Sequence, residues 1–365
     1  MQLVYLSPLP WTSFAQRPHK FVEWFHTRTG GQVLWVDPYP TRLPVLSDLR
    51  RIAGPLDDIT TTTPEWLRVR RPRSLPIEPV PGGPFVNRWF FRSLLIDIGA
   101  FSLRAETMLV VGKPSALAVQ LSGSGMPFAS RIYDVMDDFA AFYSGASERS
   151  MSRREREMAE LATTVLASSS ALYARLVTDH PDTVLLRNGL DPKVLPPRRG
   201  FEPSTGRRLL GYVGTIGRWF DWEWIAQLAR ARPEDVVRLI GPRYSEPDVP
   251  MPINVEILPA VEHAEALLLM RDFDVALIPF RLNRLTASVD PIKYYEYRAL
   301  GLPVISTGFG EMAFRAGEDG TYIATADTLA ATVAAALAYR PRDELIAQFV
   351  SQNSWHTRFD SAGLI

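Results

Sequence analysis

The stretch SVDPIKYYEYRALGLPVIST, residues 288–307, decides how the chain is read. Asp290 is a suitable N-cap and Pro291 a suitable first helical residue. Gly301 stands where a left-handed C′ glycine belongs, and Pro303 keeps the helix from continuing. The spacing predicts a helix over about 291–300 that runs into the apolar strand PVIST. The polar residues in it are less ordinary. Open amides and the positive dipole end at a helix start suit an anion. Lys293 sets a mobile cation beside them, and Glu296, one turn on, could accept two vicinal hydroxyls such as those of a ribose. Taken in order, these groups describe a nucleotide-diphosphate site. The plainer reading is a surface ion pair worth roughly 0.2–0.5 kcal/mol.

The same helix-then-strand alternation extends both ways. QLVYLS (2–7), QVLWVDP (32–38), TMLVVGKPS (107–115), SRIYDV (130–135) and TVLLRNGLD (183–191) read as buried strands with helical stretches between. A second series starts at RRLLGYVGTI and continues through VVRLIGP, VEILP and DVALIPF to the opening stretch. Between the series lies PKVLPPRRGFEPSTGRR, dense in Pro, Arg and Gly. The expectation is an α/β chain of two doubly wound Rossmann-like domains with an interdomain cleft. The first covers 1–191, the linker 192–208 and the second 209–340, with terminal helices over 341–365. Ligands of such sheets sit at the carboxyl ends of the strands, so the cleft is the expected site.

Composition narrows the function. The 365 residues carry a formal net charge of +0 and are 46% hydrophobic, which argues against a nucleic-acid protein and against wholesale disorder. There is no cysteine, so disulfides and thiolate chemistry are excluded. The five histidines have no paired metal-ligand spacing. MQLVYLSPLPW lacks a basic leader region, and no apolar run is long enough to span a bilayer. A cytoplasmic location is expected.

A second glycine-bearing turn supports the nucleotide reading. In GYVGTIGRWFDW (211–222), Gly214, Thr215 and Gly217 end a strand just before a helix. Small residues there let a backbone approach a diphosphate, and Arg218 adds charge. It is neither a Walker loop nor a full G-x-G-x-x-G. Without a ligand it would be a tight turn.

These pieces resemble the GT-B glycosyltransferases of bacterial polysaccharide synthesis. The resemblance is nearest to teichuronic-acid glycosyltransferases and more distant to xanthan glucuronosyltransferase. It rests on RPHKF (17–21), YDVMDDF (133–139), LRNGLD (186–191), GYVGTIGRWFDW, FDVALIPF (273–280), the opening stretch and NSWHTRF (353–359), in family order. It implies an acceptor-binding first domain and a nucleotide-sugar-binding second domain. Lys293 would contact the donor diphosphate, Glu296 the ribose, Gly214, Thr215 and Gly217 the phosphates, and the loop around Val261 the nucleobase. The final helix would cross back and set Trp355 on the first domain. One departure stands out. Many retaining members carry two glutamates eight positions apart, and here the first of those positions is Ser288.

An inverting transfer needs a general base on the acceptor side. YDVMDDF offers Asp137 first and Asp138 next, with Asp134 anchoring the loop; the alternative is that these aspartates cap the following helix. His19 either faces the cleft or is a helix-start histidine. The apolar residues of helix 87–106 surround most of its wheel, which favours burial over an interfacial role. RVRRPR (68–73) is the better candidate for anionic lipid. The expected activity is metal-independent, cofactor-free transfer from a UDP-sugar to a lipid-linked saccharide, with inversion favoured over retention. Peripheral contact with an anionic membrane face and no nucleic-acid partner are expected. The rivals are a sugar-nucleotide epimerase of GT-B-like fold and a catalytically silent partner protein.

Overall fold

The computed structural model describes residues 1–42, 63–80, 82–198 and 206–365. Two compact units share the chain, Met1–Leu186 and Arg187–Ile365. The first unit therefore ends five residues before the expected boundary. Part of the expected linker, 199–205, lies outside the described residues, as do 43–62 and Pro81 within the Pro- and Arg-rich region.

In the first unit β1 (Gln2–Leu6), β2 (Gln32–Val36), β3 (Leu67–Arg70), β4 (Thr107–Val111), β5 (Phe128–Val135), β6 (Thr164–Ala167) and β7 (Val184–Leu185) form one sheet ordered β3-β2-β1-β4-β5-β6-β7. Every pairing is parallel. β1 and β4 are buried along their whole length, which is why they read as continuous apolar runs rather than alternating ones. Strand order reverses between β1 and β4, the crevice where such sheets receive ligands. Helix α1 (Arg17–Thr29) ends at Gly30, whose φ of 65° is left-handed.

The stretch expected as one helix over 87–106 begins earlier and ends sooner. It forms α2 (Gly83–Phe90) and α3 (Arg92–Ser102), meeting at Phe91. Further on come α4 (Ala116–Ser122), α5 (Gly145–Leu161) and α6 (Ser170–Leu176). α5 starts well before the basic run that announced it, because Gly145 and the serines after it carry no apolar signal.

The second unit holds β8 (Leu209–Val213), α7 (Trp222–Ala231), β9 (Val236–Ile240), β10 (Val255–Leu258), α8 (His263–Arg271), β11 (Val275–Ile278), α9 (Ile292–Ala299), β12 (Val304–Ser306), β13 (Thr321–Ile323) and α10 (Leu329–Ala338). Its sheet is ordered β10-β9-β8-β11-β12-β13 and is again parallel, reversing between β8 and β11. The last helices are α11 (Asp343–Asn353) and α12 (Trp355–Ser361). They belong to this unit. The Trp355 amide donates to Leu190 O at 2.9 Å, and the Trp355 ring lies against Gly189.

Helix α9 ends as its sequence predicts. Gly301 has φ 80°, its amide bonds Arg298 O at 3.0 Å, and Leu302 N bonds Tyr297 O at 3.0 Å, the paired bonds of a Schellman turn. Its start differs. Pro291 occupies the cap position, with no side-chain cap bond. Asp290, expected as the cap, is buried and turned elsewhere. It accepts from Arg315 at 2.7 Å, Tyr295 Oη at 2.9 Å and the Asn188 amide at 2.8 Å. A buried guanidinium needs a carboxylate more than a helix end needs a cap, so among the described residues no side chain caps the first amides of α9.

Candidate functional site

The second unit brings the anticipated donor residues together. β8 ends at Val213, whose amide donates to Tyr297 Oη on α9 at 2.9 Å. That bond fixes the helix against the strand end. The chain then turns at Gly214, with φ 153°. Gly241, after β9, has φ 144°, and a Cβ there would lie 2.1 Å from Gly214 O. Glycine at both places lets the two strand-end loops touch. A Cβ built on Gly214 would sit 3.7 Å from Lys293 Cε, so the turn and the lysine are neighbours. The Thr215 carbonyl accepts from Tyr212 Oη at 2.9 Å, and Gly217 lies against the Trp219 ring. Arg218 is exposed.

Lys293 Nζ lies 3.0 Å from Glu296 Oε2, and His263 Nε2 lies 2.9 Å from Glu296 Oε1. Glu296 is 7% exposed. Burial alone would raise its pKa, but the Lys293 charge and the bonds from His263 and Lys293 outweigh it and hold the carboxyl below its ordinary value. The result is a fixed carboxylate with a donor on each oxygen, beside open helix amides. Sequence reasoning missed His263. Its signal was position: it opens α8 directly after the β10 loop, two residues past Val261. Val261 itself packs, partly buried, on the cluster containing Tyr294 and Tyr297.

The first unit separates the acceptor-side candidates. Asp134 is fully buried and accepts from Arg17 Nε at 3.0 Å and from a terminal guanidinium nitrogen at 2.7 Å. Arg17 also reaches Leu186 O at 2.7 Å. The RPHKF and YDVMDDF segments are thus tied together, and Asp134 is an anchor. Asp138 accepts from the Ala141 amide at 3.3 Å and stands 3.4 Å from Arg175. It caps the short turn that follows, the alternative that the sequence offered for this aspartate.

Asp137 is different. Among the described residues its carboxyl has neither a hydrogen-bond donor nor an ion-pair partner. Burial pushes its pKa up to about 7, Arg17 opposing and Asp138 adding. His19 takes the helix-start place. It is buried, its Nδ1 accepts from the Gln16 amide at 3.3 Å, and its Nε2 lies 3.1 Å from Trp11 O. Burial lowers its pKa. With both nitrogens engaged, the ring is neutral and closes the start of α1. At the β1–β4 crevice, Ser7, Asp37, Thr41 and Ser115 line a pocket with Lys113, which makes no ion pair among the described residues.

Two parallel doubly wound units of these strand orders define the GT-B fold, and this chain has it. It is similar over its whole length to solved proteins of that class. Sucrose-phosphate synthase from Thermosynechococcus elongatus matches with a TM-score of 0.65 at 16% identity, covering 99% of this chain and 95% of that one. Anabaena HepE, solved with UDP, matches at 0.63 and 12%, covering 100% and 98%. The lipopolysaccharide outer core galactosyltransferase WaaB matches at 0.62 and 12%, covering 99% of both. By sequence, the chain is 25% identical over 198 residues to TuaH of Bacillus subtilis (strain 168), a glycosyltransferase named for teichuronic acid biosynthesis. That match spans 48% of this chain and 50% of TuaH. No family model matches.

Proposed function

We propose that the chain is a glycosyltransferase. It moves a sugar from a UDP-sugar to a lipid-linked saccharide in the assembly of a bacterial surface polysaccharide, at the cytoplasmic side of the membrane. The observation that carries this reading is the Lys293–Glu296–His263 cluster beside the Gly214 turn. A diphosphate takes the Lys293 ammonium and the uncapped amides of α9, and Glu296 receives the ribose hydroxyls. HepE, solved with UDP, and TuaH, named for a cell-surface polymer, support the choice of donor and pathway class.

The first unit supplies the acceptor chemistry. Asp137 removes the proton of an acceptor hydroxyl. The oxygen bonds to the anomeric carbon while the bond from that carbon to the diphosphate breaks, and UDP leaves with the electron pair. Lys293 and the helix end stabilise the charge that builds on the leaving phosphate. One displacement inverts the anomeric centre, and neither metal nor cofactor takes part. The test is calorimetry against a panel of nucleoside diphosphates. Binding of UDP in preference to the others, lost in Lys293→Ala, is the expected result; no binding of any nucleotide overturns the reading.

A further inference from the structure

Helices α2 and α3 bury one narrow stripe. Asn87, Phe91, Leu94, Ile98 and Phe101 are all under 7% exposed and recur at spacings of four and three. At about 100° per residue, Phe85, Trp89, Arg92, Ile96 and Leu103 lie roughly 140–200° round the helix from that stripe. They face solvent. Phe85 and Trp89 are each 73% exposed, Ile96 71% and Leu103 77%. The expectation of burial for this helix is overturned, because an apolar wheel has two sides and the core covers only one. Single exposed apolar residues need no explanation, but a contiguous row of them does.

The row carries its own cations. The Arg88 guanidinium lies 5.7 Å from the Phe85 ring centre, and that of Arg92 lies 4.5 Å from the Trp89 ring centre. The nearby acid, Asp97, is paired with Arg70 at 3.3 Å. That pair joins the helices to edge strand β3 and so to the RVRRPR cluster, whose Arg68, Arg71 and Arg73 are exposed. Arg71 is held by Asp37 at 3.1 Å, whereas Arg68, Arg73, Arg88 and Arg92 make no ion pair among the described residues. Aromatic and aliphatic side chains flanked by such arginines match the boundary between acyl chains and anionic headgroups, where rings enter the apolar layer and guanidinium groups reach phosphates.

We propose that the outer face of α2–α3, with the arginines of β3, docks this protein on an anionic lipid bilayer. The inference rests on this face alone and is independent of the transferase reading.

The test is co-sedimentation with vesicles of phosphatidylcholine, with and without phosphatidylglycerol. Wild type is expected to pellet with the anionic vesicles at least tenfold better than with neutral ones, and to be released by raised salt. Phe85→Ser/Trp89→Ser/Ile96→Ser should lose at least tenfold in binding to anionic vesicles. Arg88→Gln/Arg92→Gln, which keeps the apolar row, should lose the preference for the anionic ones. This second variant keeps the test sharp should the first fail to fold. The proposal is overturned if wild type ignores anionic vesicles, or if the folded serine variant binds them as wild type does. A concentration-dependent dimer seen by light scattering, abolished by the same serines with no vesicle binding by wild type, would also overturn it and assign the face to self-association. Loss of vesicle binding with UDP binding intact leaves the transferase reading standing.

Discussion

His263 Nε2 and Lys293 Nζ grip opposite oxygens of Glu296, at 2.9 and 3.0 Å, so the carboxylate is already oriented in the free protein. A surface pair would leave both side chains to rotate. Here the carboxylate is held on both oxygens, and the lysine stands beside the Gly214 turn. Lys293→Ala and Glu296→Ala should therefore each weaken UDP binding by about 1–3 kcal/mol, the scale of a lost bond to a charged group. Calorimetry is the measurement. Unchanged affinity in both variants would return the pair to an ordinary helix contact.

The same carboxylate predicts a pH signature. Its folded pKa lies below its unfolded value of about 4.3. A depressed acid contributes stability above the unfolded pKa and loses it as pH falls through the folded one. Lys293→Ala should thus melt below wild type at neutral pH. The gap should close as the pH drops beneath about 4. A gap that is constant across that range would show that Lys293 acts through packing rather than charge.

The segment leading into α9 depends on Asp290 and Arg315, both nearly inaccessible to solvent. Removing the carboxylate leaves a buried guanidinium without its partner. Asp290→Ala should cost about 3–5 kcal/mol in urea unfolding. A loss under about 1 kcal/mol would mean that Tyr295 and the ring contacts hold Arg315 unaided.

Much of this was legible before the structure. The apolar strands and the Gly301 stop are local signals, and local signals fixed the two doubly wound series. Lys293 and Glu296 could be found because they stand three positions apart on one helix. His263 could not, because it meets Glu296 across 33 positions and only the fold supplies that contact. The same holds for Arg17 and Asp134, which are 117 positions apart. Asp290 was misread for a related reason: an aspartate before a helix looks like a cap until a distant arginine claims it. The α2–α3 stretch failed differently. Its composition is apolar all round, and sequence does not say which side the sheet covers.

Metal independence is a separate expectation. Turnover should be unchanged in excess chelator, read by release of nucleoside diphosphate. Loss of turnover that returns with magnesium or manganese would count against a leaving group stabilised by Lys293 and the helix end alone.

Asp137 supports the most informative variant. Its carboxyl is held near 7, chiefly by burial, against about 3.9 in an unfolded chain. A raised acid contributes stability below the unfolded pKa and loses it as pH rises through the folded one. Asp137→Asn cannot ionise, so it should gain on wild type progressively between about pH 4 and 7. Activity should move the other way. As general base Asp137 must be ionised, so wild-type kcat/KM should climb with pH and level off above about 7. The asparagine variant should turn over roughly 10²–10⁴-fold more slowly and lose that inflection, with UDP affinity unchanged. Asp138→Asn should instead lose stability, since its carboxyl caps the turn at Ala141 and pairs with Arg175. If Asp137→Asn is more stable at high pH yet turns over within a few-fold of wild type, its burial is real but its role as base is not. The anomeric configuration of the product then decides the next step: inversion requires a base elsewhere in the first unit, whereas retention removes the need for one.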